Sequence, residues 1–539
     1  MKLKFDKYVF WLISLLIIGF YFYQILSLSF DFPFYDDYDV ILKFLINWVQ
    51  SEGFVQKIKL LFNQHNEHRV VFLRLTTLLN YYLEGKVNFK HLIIFGNLGL
   101  LLIFIILAKK QVSEKKQNSA LMIASIASLL FQFASWDNAF WAMASLQNFW
   151  IHTWAILLFY LFFSDFKYRI PLSLISLFMV IFTSGNGFLV LIILFFYLIL
   201  RKNKQELVVF SAFSLILVFI YFYKYTSNGQ ATHQSFQIVE LLKFAFGFIG
   251  ALFYLPQFSF ISIVVGFLVV ALFFYAIFKK YYLQNPFNFS ILTFLLITTA
   301  VVALSRADRG FEAAVISRYR INSTLLIIFS FLIFIDIFHF AKEKIVLFLF
   351  FVFSFAYNIV SFSVYKDRIA QTQENRLSDA WLWKNEGFIF SYPDSAKASF
   401  LLKTSEKLGL QNSLLYSQSD FANRESKQIR AKNINDNIEF TYNIDEVKEL
   451  SSSEILIRGF AKLKDKNLTL KKIYLADKNG KLFVSTLQTR RYDLVAKYKN
   501  LDFQDCGFMT ILPINTAKSI EKIMICSNSN CYETKIQIK

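Results

Sequence analysis

Apolar segments of roughly 18 to 23 residues, the length a helix needs to cross about 30 Å of hydrocarbon, follow one another through the first two thirds of the chain. They fall at 8–28, 91–108, 119–135, 149–163, 170–184, 187–200, 207–223, 258–278, 289–304, 321–338 and 345–362, which predicts about eleven crossings. No strand-like alternation competes with them. The segment 241–255 is apolar over only about fifteen residues and is expected to be interfacial or re-entrant. The first segment follows Lys2, Lys4 and Lys7 but is long and lacks a small-residue cleavage site, so it reads as an uncleaved anchor.

Beyond about residue 365 the pattern changes. A charged helical stretch at 366–384 gives way to alternating apolar and polar positions at 454–460, 468–476, 481–487, 522–526 and 534–538, which predicts a small β-sandwich starting near 440. Asn479-Gly480 between two of these runs is a two-residue hairpin signal, because both turn positions need positive φ. The expected organisation is a transmembrane catalytic domain over 1–364 with its first external loop at 29–90, a mainly helical connector over 365–439, and an accessory sandwich over 440–539. The three cysteines all lie in the sandwich. Cys526 and Cys531 flank Ser-Asn-Ser-Asn, and a local disulfide and two free thiols stand equally open. Cys506 has no partner at zinc-ligand spacing.

Composition then narrows the class. A chain of 539 residues that is 56% hydrophobic is not an ordinary soluble enzyme. The net charge of +19 invites a nucleic-acid partner, but its location argues for none. Lys109, Lys110, Lys115, Lys116, Lys167, Arg169, Arg201, Lys202, Lys204, Lys279, Lys280, Lys342 and Lys344 fall in alternate short loops, which the positive-inside bias makes cytoplasmic. The N-terminus is then cytoplasmic, and the loop 29–90 and everything from 365 onward are extracytoplasmic. The bias toward Lys, Asn, Phe and Ile points to an AT-rich bacterial genome, and so to the bacterial inner membrane.

The candidate chemistry gathers on the outer side. Asp36 and Asp37 sit side by side just after the first apolar segment. Adjacent carboxylates cannot both ionise freely, so one is suited to general acid or base work; the plainer alternative is that Asp36 caps a helix starting near Val40. Gln64-His65-Asn66-Glu67-His68-Arg69, if helical, puts His65, His68 and Arg69 on one face able to grip a phosphate, against a bland helix start capped by Asn66. Arg306, Asp308, Arg309, Glu312, Arg318 and Arg320 crowd one external loop, where the topology bias disfavours positive charge. Guanidinium groups clamp phosphate, and salt bridges to Asp308 and Glu312 are the alternative. Trp136, Trp141, Gln147, Asn148, Trp150 and Asn186 offer the aromatic faces and amides that sugars need, although tryptophan also gathers at any bilayer interface. Gly185 and Gly187 permit a tight turn.

These residues carry a resemblance. The Asp36-Asp37 loop, Asn66-Glu67-His68-Arg69, Gln147-Asn148, Ser184-Gly185-Asn186-Gly187 and Ser317-Arg318-Tyr319 resemble the GT-C superfamily of integral membrane glycosyltransferases, more narrowly bacterial proteins similar to O-antigen-modifying glucosyltransferases. Arg458-Gly459-Phe460-Ala461, Arg491-Tyr492-Asp493-Leu494 and Gly507-Phe508 are similar to β-sandwich modules appended to bacterial glycosyltransferases. The resemblance implies an inverting transferase that takes a sugar from a polyprenyl-phosphate donor to an extracytoplasmic glycan or lipid acceptor, with Asp36 or Asp37 as base. His65, Asn66, Glu67, His68, Arg69, Gln147, Asn148, Asn186, Arg306, Arg309, Arg318 and Tyr319 would bind substrate. No cofactor is expected, and a divalent cation is left open. A lipid-linked repeat-unit polymerase shares the external arginines. A flippase or other transporter would need polar residues through the middle of its spans.

Overall fold

The structure, a computed structural model, describes residues 2–113, 118–226, 238–340, 343–411, 433–434, 440–463, 472–478, 483–527 and 530–535. The chain divides into two compact units.

The first unit comprises Met1–Ser29, Asn47–Leu83 and Lys90–Tyr365 and is built of helices. Among the described residues seven helices are long and apolar enough to cross a membrane: Tyr8–Leu28, Phe89–Ser113, Lys204–Phe222, Phe260–Phe278, Pro286–Arg309, Ser317–Ile337 and Lys344–Glu386. Each of the other predicted segments also coincides with a helix: Trp150–Phe162 ends a continuous helical run that starts at 142, whereas Ser119–Leu130, Arg169–Ile181 and Leu189–Arg201 have only 12 or 13 residues. At 1.5 Å per residue such a helix reaches about 20 Å. Helix Ile238–Ile249, which overlaps the stretch expected to be interfacial, has 12 residues.

Polar side chains inside this unit pair with their neighbours. Tyr21 donates to Asn97 Oδ1 at 2.6 Å, and the Asn97 amide donates to the carbonyls of Ile93 and Ala139. Asn358 donates to the carbonyls of Ser128 and Phe131. These bonds tie helix to helix, as buried polar groups in apolar surroundings must.

The second unit comprises Phe30–Ile46, Glu84–Phe89 and Lys366–Lys539. Its strands are β1 (Asn433–Ile434), β2 (Phe440–Glu449), β3 (Glu454–Leu463), β4 (Lys472–Asp477), β5 (Phe483–Ser485), β6 (Leu487–Thr489), β7 (Gly507–Pro513), β8 (Ile520–Ser527) and β9 (Asn530–Lys535). They form a five-stranded sheet in the order β1-β9-β8-β4-β5 and a four-stranded sheet in the order β2-β3-β7-β6. Ile457, Phe508 and Leu512 from one sheet meet Ile473, Leu475, Ile523 and Ile525 from the other in a shared core, the arrangement of a sandwich. The predicted Asn479-Gly480 turn lies outside the described residues; β4 and β5 on either side of it pair antiparallel. Cys526 and Cys531 are opposite each other in the β8–β9 register and form a disulfide, closing the alternative of free thiols. Cys506 is free and buried.

Two expected boundaries move. The stretch from 366 is not a separate connector, because Leu377, Trp381 and Leu382 on the end of helix Lys344–Glu386 pack with Leu456, Leu487, Met509 and Ile511 on the outer face of the four-stranded sheet. Nor does the first external loop stay whole. Phe30 joins that same cluster, the Asp31 carboxylate accepts the Phe89 N–H at 2.7 Å, and the Val87 N–H donates to Leu410. The acid-bearing stretch therefore folds with the segment from Lys366 onward.

Candidate functional site

The acid pair sits on strained, atypical backbone. Tyr35 immediately before it has φ +49, a conformation that side chains rarely adopt. Tyr38–Lys43 immediately after it is a π-helix. Such turns are rare and recur at functional sites. The two acids divide their work. Asp37 is buried, and its carboxylate accepts the Phe34 N–H at 3.0 Å, so it points back to hold the loop and does not cap the helix that follows. Asp36 is half-buried, and its main-chain carbonyl takes the Asp39 and Val40 N–H groups.

Around them lies a titratable cluster that the spacing of residues gave no sign of. Asp39 accepts from the Tyr392 hydroxyl at 2.8 Å and pairs with Lys397 at 2.7 Å. Burial pushes the Asp39 carboxyl up, but the hydrogen bonds from Lys397 and Tyr392 outweigh it and hold the group below its usual range. Asp379 accepts from the Ser391 hydroxyl and the Phe390 and Ser391 N–H groups, yet burial still pushes it up to about 6. Tyr38 is raised well above its usual value, by burial first and then by Asp379 and Asp37. Phe34 is flanked by the guanidinium groups of Arg376 and Arg490, 4.7 and 5.3 Å from its ring centre.

In the first unit, His65 to His68 is not the predicted helix turn. His65 and His68 exchange main-chain hydrogen bonds of 2.7 and 2.9 Å across a tight turn, with Asn66 at φ +49. Asn66 therefore supplies a left-handed residue, which asparagine tolerates, and not a helix cap. Arg69 is buried, and its guanidinium donates to the carbonyls of Phe62, Tyr221 and Tyr223, so its donors tie loops together and are not presented to a ligand. Tyr221 and Tyr225 donate to the Glu67 carbonyl and brace the same turn. Arg74, which carried no signal in the sequence, is buried and donates to Leu61 and Asn63.

This bracing presents His68 to Gly185. The Gly185 N–H donates to His68 Nδ1 at 3.0 Å, and a Cβ on residue 185 would meet that same nitrogen at 2.9 Å, so it is the close approach, not the turn, that favours glycine. Gly187 is needed for a different contact, since a Cβ there would lie 2.1 Å from the Val180 carbonyl. Burial lowers the His68 pKa to about 4, with Arg306 and His65 adding to the effect and Glu67 opposing it. The imidazole is thus neutral near pH 7, with Nδ1 as acceptor and the proton on Nε2.

Other predicted residues form further contacts within the same unit. Asn186 donates to Thr298 at 3.4 Å on the helix that ends at Arg306. Arg306 donates to the Tyr319 hydroxyl and lies over its ring. Arg318 pairs with Asp137 at 3.4 Å and stacks 5.5 Å from the Trp141 ring centre, while Glu312 takes the Tyr254 hydroxyl, so the arginines are not spent on the acids of their own loop. Asn138 donates to the Arg318 carbonyl at 2.9 Å and accepts from Asn148 at 2.8 Å. Gln147 and Asn148 lie on a second π-helical turn, Ser145–Phe149, inside continuous helix from 142 to 162. Gln147 is buried and Arg309 exposed, and neither is hydrogen-bonded into the network among the described residues.

Chemically, this array offers amide, hydroxyl, imidazole N–H and guanidinium donors at the ends of apolar helices. Among the described residues no group of three or more His, Cys, Asp or Glu side chains is arranged to hold a metal ion. The chain matches no protein-family model, no curated protein and no solved structure.

Proposed function

We propose that this chain is a multi-pass protein of the bacterial inner membrane, of the GT-C type with about eleven crossings, that moves a sugar from a polyprenyl-phosphate donor to an extracytoplasmic glycan or lipid acceptor. The observation that carries the reading is that one compact unit holds His68 against Gly185, Asn186 against Thr298, Arg306 against Tyr319, and Arg318 against Asp137 and, through Asn138, Asn148. Neutral and cationic donors held together at the ends of apolar helices suit a phosphate whose tail lies in lipid.

In this mechanism Asp36 takes the proton from the acceptor hydroxyl. That oxygen attacks the anomeric carbon from the face opposite the phosphate, the bond from carbon to phosphate oxygen breaks, and the electron pair leaves with the phosphate. Arg306, with Tyr319 and the His68 Nε2–H, stabilises the charge that grows there, with Arg309 and Arg318 as further cations. Asp37 positions the loop. The test is transfer of radiolabelled sugar from a mixture of polyprenyl-phosphate sugars to cell-envelope acceptor by the protein purified in detergent. Transfer by wild type and not by Asp36→Asn is the expected result. Equal transfer by both overturns the assignment of the base.

A further inference from the structure

Lys397 stands in the first turn of helix Ser395–Lys407, whose N-cap Asp394 accepts the Lys397 N–H at 2.9 Å. A cation there opposes the helix dipole, so a partner elsewhere must hold it. That partner is Asp39. The Lys397 ammonium reaches both of its carboxylate oxygens, at 2.7 and 2.8 Å, and the Tyr392 hydroxyl donates to the second at 2.8 Å. The Tyr392 ring also packs on Tyr38, with 5.0 Å between ring centres. The clamp stands on fixed backbone, because Asp379 takes the Phe390 and Ser391 N–H groups and helix Ser395–Lys407 buries Ala398, Leu401 and Leu402.

The clamped residue closes the turn that carries the candidate base, since the Asp39 N–H donates to the Asp36 carbonyl at 3.0 Å. Both carboxylates act on one hydroxyl: burial first, then Asp39, then Asp36 and Asp394, raise Tyr392 above its usual range. Carboxylates this close oppose each other's ionisation unless a cation cancels one of them. Lys397 is in contact with Asp39, and Lys43 adds to its effect. Asp37, Tyr38, Arg376 and Asp379, with Arg490 and Tyr492 against Tyr35, are the other titratable and charged groups packed around this turn. We infer that Lys397 and Tyr392 are positioning residues for the proposed transfer: acting through Asp39, they hold the turn that carries Asp36 and cancel the second negative charge beside it. Without Lys397 the bare charge on Asp39 makes Asp36 harder to ionise, so the base form is lost at a higher pH.

This rests on the reading of Asp36 as the base, and the experiment separates the two. Transfer of radiolabelled sugar from the polyprenyl-phosphate mixture is followed against pH, at limiting acceptor, with the full chain in detergent. Lys397→Met should move the acid limb up by about one pH unit, roughly a tenfold loss of rate below the limb. Lys397→Arg should leave the limb in place. Adding Asp39→Asn to Lys397→Met removes the uncancelled charge and should bring the limb back, which a merely structural role for Lys397 does not produce. Tyr392→Phe keeps the ring on Tyr38 and loses only the donor, so it should shift the limb the same way, and it serves if Lys397→Met does not fold. A limb that stays fixed in Lys397→Met and Tyr392→Phe, or that the double variant fails to restore, overturns the inference. Transfer by Asp36→Asn equal to wild type, or none by wild type, overturns the base assignment instead, and the inference falls with it.

Discussion

His68 Nδ1 accepts the main-chain N–H of Gly185 at 3.0 Å, a bond between two segments 117 residues apart. It fixes one tautomer, leaves the Nε2–H as a donor, and makes any side chain at 185 collide with the ring. Gly185→Ala should therefore lower transfer on the order of a hundredfold, as small displacements at reacting centres do. The protein should stay membrane-inserted. The nitrogen-15 spectrum of His68 should show the Nε2–H form in wild type and a changed pattern in the variant. Because burial, Arg306 and His65 lower its pKa to about 4, His68 should contribute no limb to the pH–rate profile near 6.5.

Asp36 and Asp37 should separate in mutants. Asp36→Asn removes the more accessible carboxylate and should lower transfer on the order of 10²- to 10⁴-fold with unfolding unchanged. Asp37→Ala leaves the Phe34 N–H without its acceptor and should cost about 1–3 kcal/mol of stability. Denaturant midpoints beside turnover numbers distinguish the two roles.

Arg69 and Arg306 should separate in the same way. Arg69→Gln breaks three ties to backbone carbonyls and should reduce folded yield. Arg306→Gln should leave yield intact and raise the KM for the lipid-linked donor. A KM effect in Arg69→Gln with normal yield would reverse these roles.

Asp379 should give the second unit a pH dependence. Its carboxyl is raised by burial from 3.8 to about 6, so the folded state holds the proton more tightly than the unfolded state. Its contribution to stability is then complete below about pH 4 and is lost as pH rises through about 6. Asp379→Asn should flatten that slope in thermal unfolding followed by tryptophan fluorescence between pH 4 and 7.

The disulfide closes a short loop, a separation of 5 residues. On chain-entropy grounds its removal should cost only about 2 kcal/mol. Cys526→Ser with Cys531→Ser should lower the unfolding free energy by that amount and leave transfer unchanged.

Periodicity and composition determined the larger part of the architecture without help from tertiary contacts. Each long apolar run became a helix, because a run of that length and composition has little alternative in lipid. Strand β3 was legible from its alternation, whereas β7 was not: Gly507 to Leu512 is buried throughout, with Phe508 and Leu512 in the sandwich core and Met509 and Ile511 under Trp381, so the period of two vanishes. The sequence also singled out His68, Asn148, Asn186, Arg306, Arg318 and Tyr319, because polar side chains clustered beside apolar runs stand out. What it could not contain is which arginine is spent on backbone carbonyls and which faces outward, that Asp39 answers to Lys397 358 residues away, or that the acid loop folds with the segment from Lys366 onward. Each depends on hydrogen bonds between segments remote in the chain, and a side chain's composition is the same whether its donors are free or already satisfied. Only the fold decides that.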